Sequence, residues 1–125
     1  MATLQLMGGD SIAFDSALEL CRHQHRRIVL ATLATEQRAL TLNDLTKAIC
    51  KYNHQTPITE VSADVLTAID VSLNHEHLPK LASAGVISYE PVREIVDPTE
   101  QFDQLLPILS TILEADPNLE PPLER

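Results

Sequence analysis

Cys21, His23 and His25 fall close together in this chain, and His75 with His77 makes a second histidine pair. Thiolates and imidazoles are ligands for soft and borderline metals. The spacing argues against such a centre. On a regular helix, residues i and i+2 point about 200° apart, so neither pair chelates from a regular helix. Soft-metal sites also recruit thiolates at defined spacing, which Cys21 and Cys50 do not supply. A ligand set shared between two subunits is the one arrangement left open, and the expectation is no metal and no cofactor. Each cysteine reads instead as a small buried side chain of a reduced compartment.

The second chemical cluster is basic. Arg22, Arg26 and Arg27 on the first helical stretch could hold phosphates, or could pair with the acidic carboxyl-terminal end. Catalysis has less support. The chain has three glycines and no glycine-rich phosphate loop, nucleophile elbow or metalloprotease motif, so an enzyme is not expected.

The formal charge of −9 is unusual for a nucleic-acid binder, whose contact face is usually basic. Its distribution is more informative. Seven acids and one arginine follow from Asp97 onward, whereas Arg22–His54 holds six bases against Glu36 and Asp44. A positive saddle spanning Arg22–Arg27, Lys51 and Lys80 would support DNA binding, and Lys47 is a further candidate contact. Lysine is scarce, and an acidic, lysine-poor composition suits a high-salt cytoplasm, where screening mutes self-repulsion. No apolar run has the length of a membrane span, and the first residues lack the pattern of a signal peptide, so a cytoplasmic location is expected.

The elements that must position these groups follow from periodicity. Residues 1–12 show no period and are expected to fray. Asp15 or Ser16 can cap a first helical stretch, which Arg22–Arg27 splits near 15–22 and 24–36. Thr41-Leu-Asn-Asp44 is a capping-box-like start, followed by Leu45, Ala48, Ile49 and Tyr52 on one face. Asn53–Pro57 ends that helix.

A third helix runs from Ser62 to Ala84. Its phase is split between two sides: Leu66, Ile69 and Leu73 share one, and Val71, Asn74, Leu78 and Leu81 share the other. Pro79 cannot donate to the carbonyl of His75, so a kink or break is expected near 75–79. Gly85 suits a left-handed helix end. Val86–Tyr89 and Glu94–Val96 read as a hairpin. Asp97-Pro98-Thr99-Glu100 reads as a helix start, with Asp97 the cap. Phe102, Leu105, Leu106, Leu109, Ile112 and Leu113 then form an apolar stripe. Such a stripe must be buried, and packing against a second copy is the preferred expectation.

The strings ALELCRHQHRRIVLATL, LTLNDLTKAI and LNHEHLPKLASAGVISYE resemble a family of small haloarchaeal winged helix-turn-helix domains. The similarity covers about residues 14–96. It extends to the broader arsenic-repressor type of winged helix, although His75 stands where that type has serine. The resemblance implies a transcriptional regulator or DNA-binding module.

The expected fold is therefore mainly α with a small β-hairpin wing. The expected organisation is a flexible start over 1–13, a winged helix-turn-helix domain over 14–97, a dimerisation helix over 98–115 and a disordered acidic tail over 116–125. Ser72, His75, Glu76 and Lys80 point away from both apolar stripes of the third helix and are groove candidates, with Arg93 on the wing for phosphate. The leading expectation is a homodimeric regulator on double-stranded promoter DNA, without a membrane association. The alternative is a winged-helix module that docks a protein partner and has lost DNA binding.

Overall fold

The computed structural model describes residues 13–54 and 58–119. Residues 13–20 are helical (α1), so Asp15 and Ser16 lie inside a helix rather than capping it. The expected fray at 1–12 lies outside the described residues. A break at 21–23 leads to α2 (Gln24–Glu36). His23 is its cap: the backbone there is extended (φ −97°, ψ 135°), and Nδ1 accepts from the His25 N–H at 3.1 Å. Arg26, Ile28, Val29, Leu30, Ala31 and Leu33 are all buried, so α2 is covered on nearly every side and forms the centre of the molecule. It ends at Gln37, whose left-handed backbone lets its N–H reach the Leu33 carbonyl at 2.9 Å.

A two-residue strand, β1 (Leu40–Thr41), precedes α3 (Leu42–Ile49). The capping box is present: Asp44 N–H donates to Thr41 Oγ1, and Thr41 N–H donates to Asp44 Oδ2, both at 3.0 Å. A π turn over Cys50–His54 prolongs α3, and a 3-10 turn covers Ile58–Glu60. Of the expected stop at 53–57, residues 55–57 lie outside the described residues.

Ser62 caps α4 (Ala63–Ser72), which passes through a π turn at Leu73–His77 into α5 (Leu78–Ser83). The interruption expected near Pro79 therefore takes the form of one widened turn. Its closing bond runs from the Leu78 N–H to the Leu73 carbonyl, five residues back. That widening resolves the two-sided pattern. The wide turn carries Leu73 of the first stripe and Leu78 and Leu81 of the second into the same core, where each is fully buried. Val71, assigned by phase to the second stripe, is half exposed.

After Gly85 (φ 85°), β2 (Ile87–Glu90) and β3 (Ile95–Pro98) form the hairpin. The sheet is antiparallel with order β1-β3-β2, so β3 is central. Leu40 pairs with Val96, and Tyr89 pairs with Val96 from the other side. The strand β1 was not expected from the sequence, and the hairpin runs further than expected. Ser88 pairs with Asp97 and Ile87 with Pro98, which removes Asp97 and Pro98 from the next helix. The cap of α6 (Glu100–Glu114) is instead Thr99, whose Oγ1 accepts from the Phe102 N–H at 3.3 Å and donates to the Gly85 carbonyl at 2.6 Å.

Phe102, Leu105, Leu109 and Leu113 of α6 are buried in the chain's own core, whereas Leu106 and Ile112 are half-buried. The stripe expected to cross a dimer is thus largely consumed within the subunit, mainly against α2. The tail expected to be disordered from 116 begins with an ordered 3-10 turn, Pro117–Leu119, with Leu119 fully buried. Residues 120–125 lie outside the described residues. The whole is mainly helical with one small sheet, and no helix among the described residues is long and apolar enough to cross a membrane.

Candidate nucleic-acid interface

The arginines expected to hold phosphate have other work. Helix α1 ends with unpaired carbonyls, as every helix does. Arg26 binds two of the last carbonyls: Nε donates to that of Leu20 at 2.8 Å, and Nη2 to that of Glu19, which also accepts from the Arg22 N–H, at 3.1 Å. Its third contact runs from Nη1 to His77 Nδ1 at 3.2 Å, and the residue is 5% exposed. Arg27 does the same one step on. Its Nη1 donates to the carbonyls of Cys21 (2.7 Å) and Arg22 (3.2 Å), and its Nε bonds Asp116 Oδ2 at 2.8 Å. Arg26 is thus taken up inside the chain, and Arg27 makes the acidic-end pairing that the sequence offered as its other role. The sequence could not separate the two roles, because the carbonyls that attract them appear only once α1 breaks at 21–23.

Arg22 and Lys80 are exposed but share one acid. Glu19 Oε1 lies 3.3 Å from Arg22 Nη1, and Glu19 Oε2 lies 3.2 Å from Lys80 Nζ. The Lys80 and Arg22 hydrogen bonds hold the Glu19 carboxyl below its ordinary value. Arg93, at the hairpin, pairs loosely with Glu90 at 3.5 Å. Of the remaining candidates, His75 and Glu76 are exposed on the π turn and Ser72 is half-buried.

Lys47 and Lys51 are different. Both are exposed, and neither forms an ion pair among the described residues. They line a shared surface hollow of about 250 Å³ together with Arg38 and Tyr52, and Lys51 Nζ lies 5.2 Å from the Tyr52 ring centroid. Arg38, absent from the expected contacts, is exposed beside them and bridges Glu36 (3.4 Å) and Asp44 (3.8 Å). The exposed basic side chains that line a common surface are thus Arg38, Lys47 and Lys51, on α3 and the segments flanking it. Their signal in the sequence was the local excess of positive charge over Arg22–His54.

Helix α4–α5 is held against its surroundings at two points. Tyr89 of β2 donates to Asn74 Oδ1 in the π turn, and burial first, then Glu94 and Asp70, push its hydroxyl pKa upward. His77 is fully buried. Burial, with further repulsion from His23, Arg26 and His25 against attraction from Glu76, pushes it down to about 4, so the ring is neutral near pH 7. Its neighbours are unexpected: the rings of His23 and His25 lie 4.2 and 5.8 Å away by centroid.

The profile of a domain of unknown function (DUF7344) matches residues 18–97. The chain belongs to that family. The DUF7344 domain thus runs from the last three residues of α1 into β3, including the histidines, Lys47 and Lys51, and stops before α6 and Asp116. No curated protein and no solved structure matches the chain.

Proposed function

We propose that this DUF7344 domain is a winged helix-turn-helix DNA-binding module of a transcriptional regulator. The observation that carries the reading is the placement of β1. A helix, a short strand, two further helices and a hairpin, with the short strand closing the hairpin into a three-stranded sheet, follow in the order of a winged helix. In this reading α4–α5 is the recognition helix and presents His75, with Ser72 beside it, to base edges. Lys47 of α3 and Lys51 of the π turn after it supply phosphate contacts, and Arg93 supplies another from the hairpin tip. A homodimer would use what α6 leaves half-buried, namely Leu106, Ile108 and Ile112.

The test is binding of duplex genomic fragments by fluorescence anisotropy in potassium chloride up to molar concentration, chosen because of the −9 net charge. Affinity should fall with salt. Lys47→Ala/Lys51→Ala should weaken binding and reduce the salt slope by about two, roughly one for each lysine removed from a phosphate. Absence of binding to any fragment across the salt series would sink the proposal.

A second reading draws on the same arginines. With Arg26 and Arg27 turned inward and Glu19 occupying both Arg22 and Lys80, few cations remain for a polyanion, which favours a protein-docking module. A stoichiometric protein partner, together with no protected DNA in a genome-wide footprint, would select that reading.

A further inference from the structure

His23, His25 and His77 come from two parts of the chain, yet one ring nitrogen of each lies within 4.8 Å of the others. Two local features bring them together. His23 stands outside α2 as its extended cap, so it and His25 escape the opposed directions that a regular helix would impose. His77 is the last residue of the π turn, and the Arg26 guanidinium reaches it from the first turn of α2. The assumption of regular helix, under which no metal ligands were expected, fails at both places.

We propose that these three imidazoles form a binding site for a borderline transition-metal ion of the zinc class. Imidazoles bound tetrahedrally to one ion at ~2.0–2.1 Å have ring centroids roughly 5 Å apart. The observed separations are 5.1, 4.2 and 5.8 Å. An all-nitrogen, uncharged ligand set suits zinc, cobalt, nickel or copper and not the oxygen-seeking calcium or magnesium. His77 is fully buried, and its Nε2 has no hydrogen-bond partner. An unpaired buried nitrogen is costly, and an ion would give it a partner. His23 is exposed, which leaves the fourth coordination position open to water or an incoming ligand. Cys21, although adjacent in sequence, is outside the set of three.

Loading has a structural consequence. Arg26 can only donate, so its contact with Nδ1 places the His77 proton on Nε2 in the metal-free chain. An ion at Nε2 moves that proton to Nδ1, and Arg26 Nη1 must swing away, while Nε and Nη2 keep their hold on the Leu20 and Glu19 carbonyls. His23 faces a parallel exchange, because its Nδ1 accepts the capping bond. The ion would thus replace two hydrogen bonds with a direct link between the start of α2 and the π turn of α4–α5.

The experiment uses the full chain, stripped with a chelator and titrated with Co2+ while its visible d–d absorption is followed, then competed with Zn2+. One ion per chain with the intense bands of a four-coordinate site is expected. His23→Asn keeps a capping side chain and removes the ligand; it should weaken binding at least about tenfold, as should His25→Ala, with circular dichroism unchanged. No saturable binding up to roughly 100 μM, a Kd that already marks weak association, would overturn the proposal. So would binding that the His23→Asn/His25→Ala double variant leaves intact. His77→Ala is a poorer test, because a fully buried side chain is removed, and the two other positions keep the question answerable without it.

Discussion

Arg26 Nη1 reaches His77 Nδ1 at 3.2 Å, joining the first turn of α2 to the π turn of α4–α5 across 51 positions of sequence. The same guanidinium closes the carbonyl end of α1. One side chain therefore fixes three helical segments, and its planar fork is what allows three directed contacts at once. The helix proposed to face DNA is positioned by this clasp on one side and by Tyr89 on Asn74 on the other.

Removing the clasp should be costly. Arg26→Ala leaves the Glu19 and Leu20 carbonyls without side-chain donors and opens a buried space, so a loss of about 2–4 kcal/mol is expected in chemical denaturation. Arg26→Lys should recover only part, because one ammonium cannot span the three acceptors. A change below roughly 0.5 kcal/mol, the range of ordinary surface substitutions, would contradict the assignment.

Arg27 and Asp116 form the least exposed ion pair among the described residues, at 2.8 Å, with side-chain exposures of 25% and 8%. It ties the 3-10 turn after α6, outside the family match, to α2. A double-mutant cycle with Arg27→Ala and Asp116→Ala should give a coupling of roughly 1–2 kcal/mol, above the range of exposed pairs. Because the pair is mostly shielded, the coupling should persist in molar salt. For Arg22 and Glu19, both well exposed, the same cycle should show little and lose it in salt.

The sequence was most legible where structure is decided within a few residues. Thr41 and Asp44 announce the start of α3, Gly85 marks the end of α5, and Pro79 explains why the long helix is interrupted. It was least legible where distant segments decide. Strand β1 has two residues, too few for any alternation, and exists only because β3 offers an edge. Asp97 and Pro98 form a good helix start in isolation, but pairing with Ser88 and Ile87 claims them first. Arg26 and Arg27 looked like surface charge because their acceptors are backbone carbonyls, which leave no trace in residue type. The histidine cluster was hidden for the same reason: it depends on an extended cap and a π turn, both departures from the regular period used to read the faces.

Burial also sets the reactivity of the two thiols. Cys21 is 4% exposed with its thiol pushed up to about 11, and Cys50 is fully buried with its thiol also raised by burial. Ellman's reagent at pH 8 should therefore react with neither in the native chain, and slow labelling should follow unfolding. Arg26→Ala should accelerate labelling of Cys21 in proportion to its loss of stability. Rapid native-state labelling that maps to Cys21 would show that the break at 21–23 is open to solvent.

The His77 environment makes a pH prediction for the chelator-treated chain. The ring faces His23, His25, Arg26 and Glu76, and burial holds it at about 4 in the folded state against an ordinary 6.5. Between those values the unfolded chain binds more protons than the folded one, so stability rises with pH across the window. The contribution is complete above about pH 6.5 and is lost as pH falls toward 4, with a slope approaching ~1.4 kcal/mol per pH unit inside it. Glu19 has the opposite charge but the same direction of pKa shift; its stabilising pairs are lost when its carboxyl protonates, at pH below its ordinary value of 4.5. Denaturation midpoints from pH 4.5 to 7.5 should therefore slope in the native chain and flatten in His77→Gln, which keeps a polar group but cannot titrate. Equal slopes in the two proteins would assign the acid sensitivity elsewhere and remove the argument that His77 is held neutral by its burial.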